Sequence, residues 1–287
     1  MSKPDHMHDL APGYRALRFS RDWITRPVFA VLLGTAVVAA IFTGRPWLEF
    51  VVALAVTLAA REWHRMVGEG RFAAELLAAT AVIWLALAVY LISPVRYLPV
   101  TVLGAGTLLV FVLCVLRRSN PLWHSAGVLY LGLPALAILA LRDFTPHGAW
   151  VLIGLFLIVW ATDTGAFVVG NLVGGPKLAP VLSPNKTWAG AAGGIAAAAA
   201  VQAVFIAVLG GNAAEAALYA AGLAVVAHLG DLFESRVKRR FHLKDSGSII
   251  PGHGGVLDRI DSTLATLVAL AVIVLGFRFD PLFGALS

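Results

Sequence analysis

Long apolar runs separated by short polar segments dominate the chain. A helix that spans a bilayer needs about 20 apolar residues, and shorter runs are accommodated by local thinning of the bilayer. Nine runs are predicted to be transmembrane helices, over residues 28–43, 47–60, 72–92, 98–116, 125–141, 149–170, 188–209, 213–232 and 262–277. Four tryptophans lie near predicted helix ends, where indole rings anchor helices at the membrane interface: Trp47, Trp123, Trp150 and Trp188. The pattern therefore predicts an all-α, polytopic integral membrane protein.

The composition agrees with this prediction. Hydrophobic residues make up 59% of the chain and charged residues 13%, whereas soluble domains have roughly 25% charged residues. A single cysteine, Cys114, excludes an internal disulfide framework. Residues 1–27 are polar and basic and contain no apolar core of a signal peptide, so no cleavable signal is expected.

The basic residues predict the orientation of the helices. With the N-terminus in the cytoplasm, 18 of the 22 lysines and arginines fall in inner segments. The outer segments hold only Arg45, Arg96, Arg142 and Arg278. Such an excess is typical of cytoplasmic loops and explains the net charge of +6 without a nucleic-acid partner.

Residues 235–261, the signature segment, are the most polar part of the chain. Glycines and Pro251 prevent a regular helix through its middle. Cations bind phosphate oxygens, carboxylates hold divalent metal ions, and glycine lets backbone N–H groups approach a ligand. The segment is therefore typical of a site for a polyphosphate and its metal ions. Its charged residues are Arg236, Lys238, Arg239, Arg240, Lys244, Asp245, Asp258, Arg259 and Asp261.

A first candidate cluster lies at the end of the eighth apolar run. Asp231, Glu234, Ser235 and Lys238 are three or four residues apart, so on a helix they share one face. The alternative is a solvated helix end whose charges only reach the membrane surface. Carboxylates close to hydrocarbon are costly and usually functional, which favours a site at Asp231.

A second cluster immediately precedes the last apolar run. Asp258 and Asp261 are three residues apart, and in a first helical turn their Cβ atoms would be about 5–6 Å apart, suitable for one or two shared cations. Simple capping of the helix N-terminus is the alternative. Arg259 would point away from the pair, towards phosphate.

A third cluster lies upstream. Asp163 follows an apolar run and is expected near the inner membrane edge, whereas Lys177, Ser183, Lys186 and Thr187 supply hydrogen-bond donors suited to phosphate. For Thr187, capping of the following helix is an equally good interpretation.

Two histidines are expected to have different roles. His253 is flanked by Gly252 and Gly254 and is expected to hydrogen-bond phosphate or backbone, with an acid–base role as the alternative. His228, within an apolar run, is expected to be a buried histidine with its hydrogen bonds satisfied.

The order of residues in the signature segment resembles that of the phosphatidate cytidylyltransferase (CDP-diacylglycerol synthase) family. The pattern is Ser-x-x-Lys-Arg, four residues, Lys-Asp, and then Pro-x-His-Gly-Gly-x-x-Asp-Arg-x-Asp. The upstream segments Asp163-Thr-Gly-Ala and Ser183-Pro-Asn-Lys-Thr are similar to family segments too. Asn171 and Ala189 depart from the family, which has a basic residue and a Glu or Gln there.

The resemblance implies the reaction CTP + phosphatidate → CDP-diacylglycerol + pyrophosphate, with membrane lipids and no nucleic acid as partners. Mg²⁺ is the expected cofactor, with room for a second cation, and a homodimer is a further expectation. The residues and the resemblance together give catalytic roles to Lys238, Arg239, Lys244, Asp245 and Arg259, substrate contacts to Ser183, Lys186, Thr187, Ser235, His253, Gly254 and Gly255, and metal binding to Asp231, Asp258 and Asp261.

The expected organisation is a cytoplasmic segment 1–27, N-terminal helices over 28–148 and a catalytic region over 149–287, in a bacterial inner membrane with the active site facing the cytoplasm. Two other functions stay open. A CTP-dependent lipid-alcohol kinase would need a general base for its hydroxyl substrate. A membrane transporter would place its polar residues at the midplane and not at one face.

Overall fold

A computed structural model describes residues 31–68, 72–145, 147–247, 249, 254–277 and 279. The predicted segment 1–27, together with Pro251 and His253, lies outside these residues. The helices are α1 (Val31–Thr43), α2 (Trp47–Val67), α3 (Ala73–Ile92), α4 (Leu98–Leu116), α5 (Pro121–Phe144), α6 (Gly148–Val173), α7 (Trp188–Val208), α8 (Ala213–Arg240) and α9 (Leu257–Ala271), which continues as a π-helical turn, Val272–Gly276. Two strands, β1 (Lys177–Ala179) and β2 (Ser183–Thr187), form an antiparallel hairpin.

The polytopic all-α architecture is confirmed. Helices occupy all nine predicted positions within the described part of the chain, and seven of them, α3 to α9, are long and apolar enough to cross a membrane. The described part of α1 is shorter, and α2 contains Glu49, Arg61, Glu62 and Arg65. Helix α5 is the most enclosed, with buried side chains along most of its length from His124 to Leu141.

Several helices extend beyond the predicted apolar runs. Helix α8 continues to Arg240, and α9 begins at Leu257 and not at residue 262. Hydropathy locates where hydrocarbon ends, but backbone hydrogen bonding continues into the polar segment. The (i, i+4) contact of Lys238 with Glu234 supports the last turns of α8.

The β1–β2 hairpin was not predicted. Lys177 pairs with Thr187, and Ala179 pairs with Ser183. Strands of three and five residues are too short to show a periodic pattern. Thr187 ends β2 and caps α7, because its hydroxyl oxygen accepts the Gly190 N–H at 3.0 Å.

Small residues bring α6 and the Ala- and Gly-rich α7 into close contact. A Cβ atom on Gly165 would lie 2.6 Å from the Ala197 Cβ, and one on Gly194 would lie 2.6 Å from the Thr162 carbonyl oxygen. The two backbones are therefore nearly in contact, which is how helices pack where hydrophobicity gives little preference between protein and lipid.

Contacts between helix ends and the adjoining loops define two ends of the bundle. At one end, Arg45 pairs with Asp143 at 2.7 Å, and the Tyr90 hydroxyl donates to the same carboxylate at 2.9 Å. At the other end, the Trp63 indole donates to the Trp123 carbonyl at 2.8 Å. These contacts fit the predicted alternation of the helices, since each of them joins segments assigned to the same side. The hairpin, the end of α8 and the start of α9 all lie at the second end.

Candidate active site

One face of α8 presents four polar side chains, as the spacing predicted. The Lys238 ammonium lies 3.1 Å from a carboxylate oxygen of Glu234, and the Ser235 hydroxyl donates to Asp231 at 3.4 Å. Glu234 is completely buried. The interpretation of this region as a solvated helix end is therefore wrong for Glu234.

Lys238 also joins α8 to the start of α9. Its ammonium lies 2.7 Å from Asp258, whose carboxylate accepts the Ser246 N–H at 3.0 Å and the Gly255 N–H at 3.1 Å. Both oxygens of Asp258 thus accept hydrogen bonds from protein groups. In this arrangement the aspartate holds the two ends of the loop between α8 and α9 together.

A carboxylate from α2 completes this loop, and the sequence did not predict it. Glu62 accepts the Val256 N–H at 3.0 Å, the Leu257 N–H at 2.8 Å and the Ser246 hydroxyl at 3.2 Å. The predicted second helix ended at residue 60, which left Glu62 among loop charges. The only sequence feature that indicated a role for Glu62 was its position, because this acidic residue continues the helical pattern of the preceding apolar segment.

A second group of carboxylates lies beside the first. Asp163 on α6 and Asp261 on α9 both interact electrostatically with Asp231 on α8. The Lys186 ammonium forms an ion pair with Asp231, and Arg259 is close enough to Asp163 to attract it. Three elements that are distant in sequence therefore place their acids in one cluster.

Asp261 differs from Asp231 in its partners. Its carboxylate accepts the N–H of the adjacent Ser262 at 2.7 Å. Within the described residues, no lysine or arginine forms an ion pair with it. Asp163 likewise forms no ion pair with a lysine or arginine of these residues, so two acids of this cluster lack a directly paired cation.

The hairpin adds cations to the same end. Lys186 lies near the end of β2, and Arg239 of α8 donates to the Leu182 carbonyl at 3.5 Å and the Leu243 carbonyl at 3.2 Å. Ser183 begins β2. Of the two interpretations of Thr187, the structure shows the helix cap, and its contact with substrate stays a prediction.

The remaining predicted residues divide into exposed and close-packed positions. Lys244, Asp245 and Arg259 are exposed at the site. Gly254 has a φ of +84°, a conformation that favours glycine. A Cβ on Gly255 would lie 2.0 Å from the Ser246 hydroxyl oxygen, so the close packing of the loop leaves no room for a side chain at this position.

Comparison with known proteins now identifies the family. The family model described as "Cytidylyltransferase family" matches residues 24–277. The chain belongs to this family.

Three curated relatives are named phosphatidate cytidylyltransferase. The protein of Brucella suis is 47% identical over 156 residues, which cover 53% of this chain and 57% of the relative. That of Rickettsia bellii is 37% identical over 159 residues, 53% of this chain and 68% of the relative. That of Bacillus subtilis is 40% identical over 140 residues, 48% of this chain and 52% of the relative. The matches span little more than half the length of most of these relatives.

The acids of this cytidylyltransferase-family chain fit one mode of magnesium binding. No three His, Cys, Asp or Glu side chains of the described residues are arranged to hold a metal ion by themselves. Mg²⁺ usually takes one or two carboxylates together with substrate phosphates and water. The oxygens of Asp231 contact Lys186 and Ser235, so Mg²⁺ at Asp231 would replace the Lys186 ammonium there. Asp231 and Asp261 then suit that mode, whereas Asp258 is fixed by Lys238 and by backbone N–H groups of the loop.

Three described histidines, His64, His124 and His228, lie in packed helices. The His228 ring nitrogen lies 3.3 Å from the Ala191 carbonyl oxygen, so its expected satisfied hydrogen bond is confirmed. His64 and His124 are fully buried and share a contact of 2.7 Å between their Nδ1 atoms. That pair ties α2 to α5 near the site.

Proposed function

We propose that this protein transfers the cytidylyl group of CTP to phosphatidate, forming CDP-diacylglycerol and pyrophosphate, at the cytoplasmic face of a bacterial inner membrane. The observation that supports this most is a compact set of cations and carboxylates directly beside an apolar groove. A polar nucleotide and a membrane lipid can meet only at such a boundary. The family membership and the names of the relatives agree with it.

The groove lies between α5, α8 and α9 and has a volume of about 380 Å³. Its lining is almost entirely apolar and consists of Leu129, Tyr130, Leu133, Pro134, Val226, Leu229, Gly230, Phe233, Leu264, Ala265 and Val268. Gly230 directly precedes Asp231, so one end of the groove adjoins the acid cluster. An acyl chain in the groove would leave the lipid phosphate at that polar end.

The proposed reaction needs no covalent enzyme intermediate. A phosphate oxygen of phosphatidate attacks the α-phosphorus of CTP, and the bond from that phosphorus to the oxygen bridging to the β-phosphorus breaks. The obstacle is repulsion between two anions. Lys186, Lys238, Arg239 and Arg259 would offset that charge, and their fixed positions avoid reorganisation during the reaction. Bound Mg²⁺, held by Asp231 and Asp261, would stabilise charge on the departing pyrophosphate.

The test uses the purified full-length protein in detergent–lipid micelles with radiolabelled CTP and Mg²⁺. Phosphatidate, diacylglycerol or no lipid is added, and products are separated by thin-layer chromatography. Cytidine-labelled lipid with phosphatidate alone supports the proposal. Phosphorylated diacylglycerol, formed from CTP labelled at the γ-phosphate, would indicate the lipid kinase. No labelled lipid in any arm would contradict both enzyme functions.

The cytoplasmic position of the site predicts a labelling pattern. In a Cys114→Ala background, Pro180→Cys and Arg240→Cys should be protected in intact cells from an impermeant thiol reagent, whereas Pro94→Cys and Ala214→Cys should be labelled. All four positions are exposed and lie at opposite ends of the bundle. The expectation follows from the excess of basic residues in the segments at the site.

Permeabilised cells provide the control, since all four cysteines should then react. External labelling at Pro180→Cys or Arg240→Cys would place the site on the wrong side of the membrane. That result would overturn the proposed orientation and leave the helix bundle itself unaffected.

The groove predicts a selective effect on the lipid substrate. Leu229→Trp should raise the KM for phosphatidate roughly tenfold, because the indole would occupy space that an acyl chain needs, and should leave the KM for CTP unchanged. A tenfold change corresponds to about 1.4 kcal/mol, within the value of burying a few methylene groups. Steady-state rates against each substrate measure both constants.

Val225→Trp is the matched control. Val225 lies one turn earlier on α8, is 44% exposed compared with 59% for Leu229, and does not line the groove. Equal effects of the two tryptophans on phosphatidate would show that the groove does not hold the lipid.

A further inference from the structure

We infer that Glu62 of α2 is a positioning residue that holds the signature loop in its catalytic geometry. The predicted effect of Glu62 on kcat rests on the proposed function, whereas its predicted effect on the melting temperature tests the inference independently. Neither the signature pattern nor the match to the relatives assigns a role to this residue.

The contacts of Glu62 are those of a cap supplied from another helix. The first N–H groups of a helix have no partner within the helix. Here the α2 carboxylate accepts those of Val256 and Leu257, at 3.0 and 2.8 Å, across 194 and 195 residues of sequence. Its negative charge also lies at the positive end of the α9 dipole. Glu62 is only 2% exposed, so water does not replace it easily.

Ser246 connects Glu62 to Asp258. Its N–H donates to Asp258 at 3.0 Å and its hydroxyl donates to Glu62 at 3.2 Å. The two carboxylates therefore hold the loop from opposite sides. A shift of the loop at Glu62 would move Asp258 relative to Lys238 and would move Asp261, which lies on the first turns of the helix that Glu62 caps.

Gly247 shows how closely Glu62 is fitted into the loop. A Cβ atom on Gly247 would lie 2.5 Å from a carboxylate oxygen of Glu62, and its three nearest neighbours would all be Glu62 atoms. The φ of Gly247 is not positive, so alanine is conformationally acceptable there. Glu62 itself is thus the obstacle to a side chain at Gly247.

The first experiment compares Glu62→Gln with the wild-type protein. Glutamine keeps the shape but replaces one acceptor oxygen with an NH₂ group that faces N–H donors. We expect kcat to fall roughly ten- to a hundredfold, the range for residues that orient catalytic ligands. The KM for phosphatidate should change less than about threefold, because Glu62 does not line the groove. A kcat equal to that of the wild type would overturn the inference.

The second experiment is a double-mutant cycle of Glu62→Ala and Gly247→Ala. Gly247→Ala alone should lower both kcat and the melting temperature, whereas in the Glu62→Ala background it should cause no further loss, because the obstructing side chain is gone. Gly222→Ala on α8 is the matched control, since a Cβ there would meet nothing within 4 Å.

Additive effects of the two substitutions on melting temperature would contradict the inference. The melting temperatures also distinguish a failure of this inference from a failure of the proposed function. If the wild-type protein makes no CDP-diacylglycerol, the proposed function fails, while the coupling between Glu62 and Gly247 is still measured by thermal unfolding in detergent.

Discussion

Asp261→Asn is expected to abolish turnover while leaving the protein folded. The Asp261 carboxylate interacts electrostatically with Asp231 and forms no ion pair with a lysine or arginine of the described residues. If the pair holds Mg²⁺, loss of one charge removes several kcal/mol of stabilisation, a fall of at least roughly a hundredfold in kcat. Removing one of two repelling acids should also maintain or raise the melting temperature. Rates over a range of Mg²⁺ concentrations and thermal unfolding in detergent measure both effects.

Asp258→Asn is the comparison that separates metal binding from structure. Asp258 accepts hydrogen bonds from Lys238, Ser246 and Gly255, so its replacement should lower stability by about 1.5–3 kcal/mol as well as activity. Near-normal turnover by Asp261→Asn at limiting Mg²⁺ would remove Asp261 from the metal site. A loss of stability in Asp261→Asn equal to that in Asp258→Asn would indicate a structural role for both.

Lys238→Ala should have the largest effect on stability. The lysine side chain is 13% exposed and lies between Glu234 at 3.1 Å and Asp258 at 2.7 Å. Its loss leaves two buried carboxylates without their cation, and breaking a buried pair in this way costs about 3–5 kcal/mol. We therefore expect a large fall in melting temperature together with loss of CDP-diacylglycerol synthesis.

Two variants test the cause of that loss. Adding Glu234→Gln to Lys238→Ala should restore part of the melting temperature, because one uncompensated acid is removed, but should not restore activity. Arg240→Ala, at an exposed position outside the signature pattern, should change the melting temperature little and act on rate in a salt-dependent way. A Lys238→Ala protein as stable as Arg240→Ala would show that the buried ion pairs contribute nothing.

Much of the bundle could be predicted because lipid imposes a strong constraint on sequence. Each backbone polar group must be satisfied within its own helix, so an apolar run of sufficient length has one structural outcome. The shared face of Asp231 and Lys238 also followed from the sequence, since residues on one helix have fixed relative positions. Local periodicity was enough for both.

Contacts between distant segments could not be predicted in this way. The Glu62 carboxylate meets Val256 across 194 residues, and no local pattern indicates such a partner. The ion pair of Lys186 with Asp231 joins a hairpin to a helix 45 residues later. The sequence predicted phosphate as the partner of Lys186 because charge alone does not distinguish a ligand from another side chain.

The long separation between Glu62 and its donors has a consequence for biosynthesis. At about 5–20 residues per second, roughly 10–40 s pass between translation of α2 and translation of the start of α9. During that interval the Glu62 carboxylate has none of its three partners, since Ser246, Val256 and Leu257 all follow it in the chain. A ribosome-bound chain that ends before α9 therefore lacks the geometry of the site. The signature segment thus reaches this geometry only after α9 has been inserted.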